Sequence, residues 1–360
     1  MKNFFLLLFV IVLPVSALQG QTTDVVILDK DQRERLFRLS KENQQVRERC
    51  DSVLLLAGAA LQIAPRPIQR LYYEGLLNNN PQRLDTQTSL EDIDAVVSLI
   101  YASYISNKPS YANKAVNFVL AWAKKYIPTG NPINENKFVP LFWAYYLFYD
   151  RFSIDERKLV EQWMRDIVSA EQAREYTPNN NWQTKRLRMI GMIGCVLGDE
   201  QMKQFAIAGF KEYINTACFA DGTSNDLKQR DALSYHIGGI KPMLTIVINL
   251  KPFDSAFDLY DYVGSNGSSI KKSLEYIVPY ATGEKVRKEW VNTTVQIDKD
   301  RAAAGLADYQ PGKLFDPREA IEAFEWGCYF DRKWYALLSA NGNYTSTWVG
   351  LLNSPLIRGE

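Results

Sequence analysis

The sequence predicts an all-α protein whose antiparallel helix pairs close into an (α/α) toroid or incomplete barrel. Two observations lead to this prediction. Apolar and charged residues recur at helical spacing in block after block, whereas alternating apolar and polar runs are scarce before the C-terminal end. Short segments rich in Gly, Pro and Asn separate these blocks. Helices joined by short turns pack as antiparallel pairs, and a run of pairs must close or curve to bury its apolar faces.

The periodicity predicts the helices in order. They cover residues 30–62, 90–106, 110–126, 135–150, 153–172, 181–197, 200–218, 230–250, 266–280 and 317–330. Turn-forming sequences separate them, among them IPTGNPIN at 127–134, YTPNNN at 176–181 and FADGTSND at 219–226. We therefore expect one helical domain over residues 21–360.

Two segments interrupt this rhythm. Residues 65–92 are polar and rich in Pro and Asn, and residues 283–316 are charged without a continuous apolar face. A long loop in a compact domain is often a lid or a binding element, although a plain surface excursion explains the first segment equally well. For the second segment we expect a loop over the same cleft.

The first 20 residues have the parts of a secretory signal peptide: one Lys, an apolar run of about a dozen residues, and small residues fit for cleavage after Ala17 or Gly20. The run is too short for a membrane span, and no Cys near this point can accept a lipid. The sequence therefore predicts a periplasmic or secreted protein without membrane contact once the signal is removed.

Composition narrows the function classes. Of the 360 residues, 46% are hydrophobic and 12% aromatic, which excludes a disordered chain and favours surfaces that suit sugars. The 42 Lys and Arg nearly cancel the 41 Asp and Glu, so no global field favours nucleic acid. The four widely separated Cys indicate buried thiols, although an oxidising compartment would permit a disulfide, and a chain with one His offers no convincing metal site. No cofactor is expected, and the oligomeric state stays open.

The stretch DGTSNDLKQRDALSYHIGG, residues 221–239, contains the only histidine of the chain. His236 follows Tyr235 directly, and Arg230 lies five residues before the tyrosine. On one continuous helix Asp231 and Tyr235 share a face, so Arg230 has to lie at the helix entrance to approach the phenol. For His236 two interpretations stay open: a histidine packed in the core with one hydrogen bond, or a member of a reactive cluster.

The stretch TPNNNWQTKRLRMIGMIG, residues 177–194, predicts a helix start rich in hydrogen-bond donors. One Asn suffices to cap a helix, and two further Asn side chains remain. Basic residues follow at Lys185, Arg186 and Arg188, and together with the helix dipole they suit a carboxylate. The alternative is an ordinary capped helix with a solvated basic face.

Three blocks of the sequence resemble the alginate lyase family of polysaccharide lyases. They are YANKAVNFVLAWAKKYIPTGNPINENKF (111–138), NNWQTKRLRMIGMIGCVLGDEQM (180–202) and DGTSNDLKQRDALSYHIGGIKPML (221–244). The resemblance implies an (α/α) toroid that cleaves uronic-acid polymers by β-elimination. It implies that Asn181 helps to neutralise the substrate carboxylate and that Tyr235 removes the proton from C5. Arg230 and His236 are expected to assist them.

The sequence departs from the family pattern at two positions. Many members have His after the second Asn of the motif, where this chain has Trp182. The family arginine usually lies seven residues before the tyrosine, a position held here by Lys228. We assign its role to Arg230, because the guanidinium fork suits a carboxylate or a phenolate better than a point charge does. The predicted substrate-binding residues are Asn180, Trp182, Lys185, Lys228, Tyr72 and Tyr73.

The chemistry of a uronate explains these residue types. Removal of the weakly acidic C5 proton places a second negative charge on the carboxylate oxygens, and amide or guanidinium groups stabilise that charge. A tyrosine beside positive charge is suited to remove the proton and to return it to the glycosidic oxygen at C4. The expected product has a 4,5 double bond, and the scheme requires no metal.

Two other functions are weighed against this one. A toroid glycoside hydrolase needs two carboxylic acids beside the scissile bond, for which Asp150, Asp226 and Asp231 are the candidates. A non-catalytic glycan-binding protein would keep the aromatic and basic residues without the elimination chemistry. The polymer itself, alginate rich in mannuronate or a related glucuronan, is not fixed by the sequence.

Overall fold

The computed structural model describes residues 24–340 and 347–359, so the predicted signal peptide lies outside the described residues. These residues contain no strand and only two isolated β-bridges, which confirms the all-α prediction. The helices of the described residues are α1 (Lys30–Glu42), α2 (Gln44–Ala60), α3 (Pro81–Ile105), α4 (Pro109–Lys125), α5 (Pro132–Glu135), α6 (Val139–Leu147), α7 (Ile154–Gln172), α8 (Asn181–Leu197), α9 (Glu200–Ala217), α10 (Asn225–Arg230), α11 (Leu233–Leu250), α12 (Ile270–Ala281), α13 (Gln296–Ala303), α14 (Ile321–Gly327), α15 (Arg332–Ala340), α16 (Trp348–Asn353) and α17 (Pro355–Arg358).

Consecutive helices pack side by side, as their short connections predict. α2 lies against α1 and α3, α3 lies against α4, and α8 lies against both α9 and α11. The pairs form the expected (α/α) toroid, and α17 contacts α1. They share one apolar core, whose largest fully buried side chains include Trp122, Trp143, Phe138 and Phe210.

Several helix boundaries differ from the prediction. The predicted helix 30–62 is two helices, because Asn43 ends α1 and its side chain caps α2. α3 begins at Pro81, before its predicted start, because a capping Asn and a first-turn Pro form a strong start signal there. The irregular segment is therefore residues 61–80 rather than 65–92.

Glycines in α8 allow α9 to approach it closely. A Cβ atom at Gly194 would lie 2.7 Å from the Cβ of Met202, and one at Gly191 would lie 2.8 Å from the Cβ of Ala206. Both separations are shorter than van der Waals contact, so these positions require glycine at the observed helix spacing. The contact fixes the axis of α8, whose first residue is the predicted site residue Asn181.

A buried ion-pair cluster joins α8 to α11. Asp24 lies 2.7 Å from the guanidinium of Arg188 on α8 and 3.0 Å from the ammonium of Lys241 on α11. Burial alone would raise the pKa of the Asp24 carboxyl. The attraction of Arg188 and Lys241 outweighs burial and lowers this pKa to about 2. The segment that follows Asp24 is buried as well, so it anchors both helices that carry the predicted site.

All four cysteines are buried, and Cys50, Cys195 and Cys218 are free thiols, as the sequence predicts. In the described part of the chain no helix is both long enough and apolar enough to cross a lipid bilayer.

Candidate active site

A left-handed residue brings Arg230 over the ring of Tyr235. α10 ends at Arg230, Asp231 adopts φ 52°, and α11 begins at Leu233. The reversal of the chain at Asp231 places the Arg230 guanidinium 4.0 Å from the centre of the Tyr235 ring. The structure thus places Arg230 at the helix entrance, in contact with the phenol ring.

The predicted pairing of Asp231 with Tyr235 on one helical face is wrong, because Asp231 lies outside α11. Its carboxylate instead accepts hydrogen bonds from the Arg287 guanidinium at 2.6 Å and from the Asn292 backbone N–H at 2.9 Å. Asp231 therefore fastens residues 283–316 to the start of α11.

Residues 283–316 form one wall around the phenol of Tyr235. Nη1 of Arg301 donates a hydrogen bond to the Tyr235 hydroxyl at 3.2 Å. The ring of Trp290 meets the Tyr235 ring edge to face at a centroid distance of 5.7 Å. Tyr235 itself is half-buried.

One buried carboxylate holds both arginines. Oδ1 of Asp298 lies 2.5 Å from Nη1 of Arg230 and 3.7 Å from Nη1 of Arg301. Asp298 and Arg301 are three residues apart on α13, so both side chains point to the same side. The sequence analysis missed both residues, because the charged segment lacks an apolar period; their i, i+3 spacing is the only local signal.

The start of α8 presents two asparagines in different roles. Asn180 caps the helix by accepting the N–H of Trp182 at 3.1 Å, and its amide donates to Gln229 at 3.2 Å. Asn181 is only 6% exposed, and its buried Oδ1 has no hydrogen-bond partner among the described residues. Buried polar atoms are rarely left unpaired, so the Asn181 amide is a candidate for a ligand contact.

Asp226 links the start of α8 to α10 and α11. It is fully buried, and burial raises its pKa to about 7 against the opposing effects of the Asn181 backbone N–H, Lys185 and Arg230. The carboxylate fits because α11 has glycine at the contact: a Cβ at Gly239 would lie 2.7 Å from Oδ2 of Asp226. Asp226 thus brings the charges of Lys185 and Arg230 close to Asn181.

A row of cations continues from Asn181 through Lys185 to Lys137. Lys185 lies one turn further along α8, and burial followed by the charges of Lys137, Arg188 and Lys241 lowers its pKa to about 8 despite the attraction of Asp226. The ammonium of Lys137 lies 4.1 Å from the centre of the Tyr73 ring. Lys185 and Tyr73, two predicted binding residues, are therefore connected through Lys137.

Other predicted residues lie elsewhere. Lys228 is exposed, and its ammonium lies 3.1 Å above the ring of Phe219, away from Tyr235. Tyr72 is 40% exposed, and only its backbone N–H is held, by the hydroxyl of Thr86. Trp182 is half-buried under the guanidinium of Arg174, 4.8 Å from its ring.

The two arginines that follow Lys185 do not take part in the row. Arg186 donates to the backbone oxygen of Glu171 at 3.0 Å, and Arg188 pairs with Asp24. Only Lys185 of the predicted basic face is left without an ion pair in the described residues. Within residues 24–340 and 347–359, two of the three basic residues are thus held in ion pairs, and only Lys185 is not.

His236 has the geometry of a core histidine. It is fully buried, Nε2 donates to the backbone oxygen of Ser273 at 3.2 Å, and Nδ1 accepts from the hydroxyl of Ser224 at 2.7 Å. Burial lowers its pKa to about 4, so the ring is neutral at pH 7. Both ring nitrogens bind the protein, which favours the interpretation as a histidine packed in the core over the expected role at the substrate. His236 fixes Ser224, the N-cap of α10, to α12.

The lowered pKa of His236 predicts an acid-dependent loss of stability. The unfolded chain binds this proton below about pH 6.5 and the folded chain only below about pH 4, so the free energy of unfolding falls as the pH drops between these values. The loss reaches about 3 kcal/mol. In urea titrations from pH 7 to pH 4, the gap between the wild type and His236→Gln should narrow by that amount. Parallel curves would contradict the assignment.

Comparisons with known proteins identify the family and support the fold. The sequence model of the alginate lyase family matches residues 36–287. An alginate lyase of Bacteroides ovatus superimposes with a TM-score of 0.64 at 19% identity, over 90% of this chain and 97% of that one. Alginate lyase A1-III, in a histidine variant complexed with a tetrasaccharide, superimposes with a TM-score of 0.51 at 16% identity, over 83% and 95%. No curated protein matches the chain.

Proposed function

The chain belongs to the alginate lyase family and is a polysaccharide lyase, and we propose that it cleaves a 1,4-linked polyuronate by metal-independent β-elimination. The proposed substrate is alginate containing mannuronate, or a related glucuronan, and the product has a 4,5-unsaturated end. One observation carries the proposal: the hydroxyl of the half-buried Tyr235 accepts a hydrogen bond from Arg301, and Arg230, which lies against the same ring, shares the buried carboxylate of Asp226 with the backbone N–H of Asn181.

The substrate carboxylate is the first group to be bound. Asn181 lies at the first position of α8, where the helix dipole favours negative charge, and its side-chain oxygen has no hydrogen-bond partner in the part of the chain that the structure describes. An amide N–H donated to the carboxylate stabilises the second negative charge that arises when C5 loses its proton. The amide orientation in which Nδ2 faces the substrate meets this need.

Tyr235 then acts as the base. Arg301 donates to its oxygen, and Arg230 lies against its ring, so two guanidinium groups stabilise negative charge on the phenol. Tyr235 removes the C5 proton, the electron pair forms the C4–C5 double bond, and the bond to the glycosidic oxygen at C4 breaks. The phenol returns the proton to that oxygen.

The roles of the two arginines differ from those expected. The family resemblance gives one arginine as the helper of the tyrosine, but in this chain Arg230 binds the ring face and Arg301 binds the oxygen. The carboxylate of Asp298 forms ion pairs with both guanidinium groups and thereby holds them close to each other. We assign the stabilisation of the phenolate to Arg301 and the support of the ring to Arg230.

Replacement of Arg301 should lower turnover with little effect on substrate affinity. We expect Arg301→Met to reduce kcat by about tenfold to hundredfold, since a hydrogen bond to a charged group contributes about 1.5–3 kcal/mol. The matched control is Arg318→Met, because Arg318 is exposed and pairs only with its neighbour Asp316. Steady-state kinetics on polymannuronate would count against the assignment if both variants kept the wild-type kcat.

The hydrolase alternative loses its candidate acids. Asp231 is bound to Arg287, and Asp150 is fully exposed beside Arg157. Asp226 is buried. No second candidate carboxylate of the described residues faces it across a space that could hold a glycosidic bond and a water molecule. A non-catalytic glycan-binding protein would not need a guanidinium on the oxygen of Tyr235.

The test is an incubation with polymannuronate, polyguluronate and glucuronan. Ultraviolet absorbance follows the conjugated double bond, and a colorimetric assay follows new reducing ends. Elimination gives both in equal number on at least one polymer. Reducing ends without the double bond would indicate a hydrolase, and neither signal on any polymer would indicate a binding protein.

We also propose that the protein is exported, because a polyuronate substrate is a polymer found outside the cytoplasm. The signal peptide predicted over residues 1–20 is the sequence feature that supports it. N-terminal sequencing of the protein recovered from its native compartment should start after Ala17 or Gly20. An uncleaved N-terminus at Met1 would count against export.

A further inference from the structure

Tyr309 is a second tyrosine beside the phenol of Tyr235. It is half-buried and lies at the end of the short helical turn Ala307–Tyr309, within the segment 283–316. Its hydroxyl is hydrogen-bonded to the hydroxyl of Tyr235. The guanidinium of Arg301, which donates to the Tyr235 oxygen at 3.2 Å, also lies 4.8 Å from the centre of the Tyr309 ring. One arginine therefore contacts both phenols.

The indole of Trp290 packs against the same two rings. Its centroid lies 5.7 Å from that of Tyr235 and 5.0 Å from that of Tyr309. Trp290 is buried and adopts φ 65°, a left-handed conformation that is rare for a bulky side chain. Its backbone N–H donates to the backbone oxygen of Asp231 at 2.9 Å. Such a backbone persists only where its surroundings hold it, and it is typical of functional sites.

The residue after Tyr309 fixes the position of this tyrosine. The side-chain amide of Gln310 donates to the backbone oxygens of Ala302 and Leu306, at 2.9 and 3.2 Å. Ala302 directly follows Arg301 on α13. These hydrogen bonds hold Tyr309 next to the helix that carries Arg301.

The hydrogen bond between the two phenols has a direction. Burial, followed by the interaction with Tyr235, raises the pKa of Tyr309 in spite of the attraction of Arg301. Tyr309 therefore keeps its proton, so its O–H donates and the Tyr235 oxygen accepts. A guanidinium has only donors, so the Tyr235 oxygen receives a second hydrogen bond from Arg301. Two donors on one phenol oxygen favour negative charge on that oxygen.

We propose that Tyr309 is a further catalytic residue, whose O–H donates to the Tyr235 oxygen and, together with Arg301, stabilises the phenolate that removes the C5 proton. This role deepens the proposed function and rests on it. The proton of Tyr309 stays on its own oxygen throughout, while the proton from C5 moves to the Tyr235 oxygen and then to the glycosidic oxygen. Tyr309 thus acts on the base as an oxyanion-hole donor acts on an intermediate.

Removal of the single hydroxyl tests this role. Tyr309→Phe keeps the ring contacts with Arg301 and Trp290. We expect kcat on polymannuronate to fall by about tenfold to hundredfold, as for the loss of a hydrogen bond to a charged group. KM should stay within a few-fold of the wild type, because the hydroxyl serves the base rather than the substrate. Thermal melts confirm that the variant is folded.

The matched control is Tyr262→Phe. Tyr262 is also half-buried, and its hydroxyl accepts one hydrogen bond, from the side-chain amide of Asn215 at 3.1 Å. Neither residue belongs to the candidate site, so this variant should keep wild-type kcat and KM. Equal losses of kcat in Tyr262→Phe and Tyr309→Phe would overturn the assignment to Tyr309.

Two further measurements separate a role on the base from a role in structure or substrate binding. In the Tyr235→Phe background, the addition of Tyr309→Phe should leave the affinity for polymannuronate unchanged, because the oxygen that Tyr309 serves is already absent. With polymannuronate deuterated at C5, the isotope effect on kcat should be at least as large in Tyr309→Phe as in the wild type, because the slowed step breaks the C5–H bond. Weaker binding by the double variant, or a smaller isotope effect, would overturn the proposal.

The outcomes distinguish this role from the reaction itself. If the wild type forms the unsaturated product and Tyr309→Phe turns over equally fast, Tyr309 has no catalytic role and the reaction stands. If Tyr309→Phe loses turnover while Tyr235→Phe keeps it, Tyr309 is itself the base and its role as a donor is overturned. If the wild type forms no unsaturated product on any polymer, the reaction and this role are both overturned.

Discussion

Tyr235→Phe should remove nearly all turnover while the fold and the substrate affinity remain. The substitution deletes only the oxygen that accepts from Arg301, and the ring keeps its contacts with Arg230 and Trp290. General acid–base catalysis contributes about 10²–10⁴-fold, and Tyr235 serves in both steps, so we expect a loss at the upper end of this range. The measurement is kcat on polymannuronate, together with a binding titration.

The control for this substitution is Tyr149→Phe. Tyr149 is 41% exposed and stacks with Arg157, outside the candidate site, so its variant should keep wild-type kinetics. Substantial turnover in Tyr235→Phe would assign the base to another group. A variant that binds no polymer would mean that the hydroxyl serves binding rather than proton transfer.

Asn181→Ala should reduce kcat by at least about a hundredfold, as is typical for the loss of one donor to a developing oxyanion. The reason is that the side-chain oxygen of Asn181 has no hydrogen-bond partner in the described residues, so this amide group can turn its N–H to a ligand, whereas Asn180 is used for the cap and for Gln229. Because the donor acts most strongly once C5 is deprotonated, the effect should fall on kcat more than on KM.

Asn180→Ala serves as the comparison for Asn181→Ala. Loss of the cap costs about 1 kcal/mol of stability, so this variant should melt earlier but keep most of its turnover. If both substitutions lowered kcat equally, the effect would belong to the helix start as a whole. A loss of less than tenfold in Asn181→Ala would mean that other groups hold the carboxylate.

The fold class was predictable because helical periodicity and turn residues act locally. The start of α8 followed from its run of asparagines, and Tyr235 and Arg230 followed from the family resemblance in residues 221–244. The predicted helix boundaries were wrong where a single residue ends a helix. Asn43 divides a helix that the apolar pattern continues, and the left-handed Asp231 does the same before α11.

The rest of the site depends on contacts between distant segments. Arg301 lies 66 residues after Tyr235 and in a segment without apolar periodicity, so no local pattern connects them. Lys137 lies just after α5 in a block that reads as structural, and only the packing of α5 and the turn after it against α8 brings it toward Lys185. His236 shows the converse: its neighbours in sequence indicated chemistry, but its neighbours in space are Ser224 and Ser273.

The central claim is that a uronate is held through its carboxylate at Asn181 with C5 facing the phenol of Tyr235. A crystal structure of Tyr235→Phe with a bound mannuronate tetramer tests it most directly. We predict one carboxylate within hydrogen-bond distance of the Asn181 amide, with the C5 hydrogen of the same sugar directed at the edge of the ring at position 235. A carboxylate bound away from Asn181, or a C5 hydrogen turned from that ring, would contradict the claim.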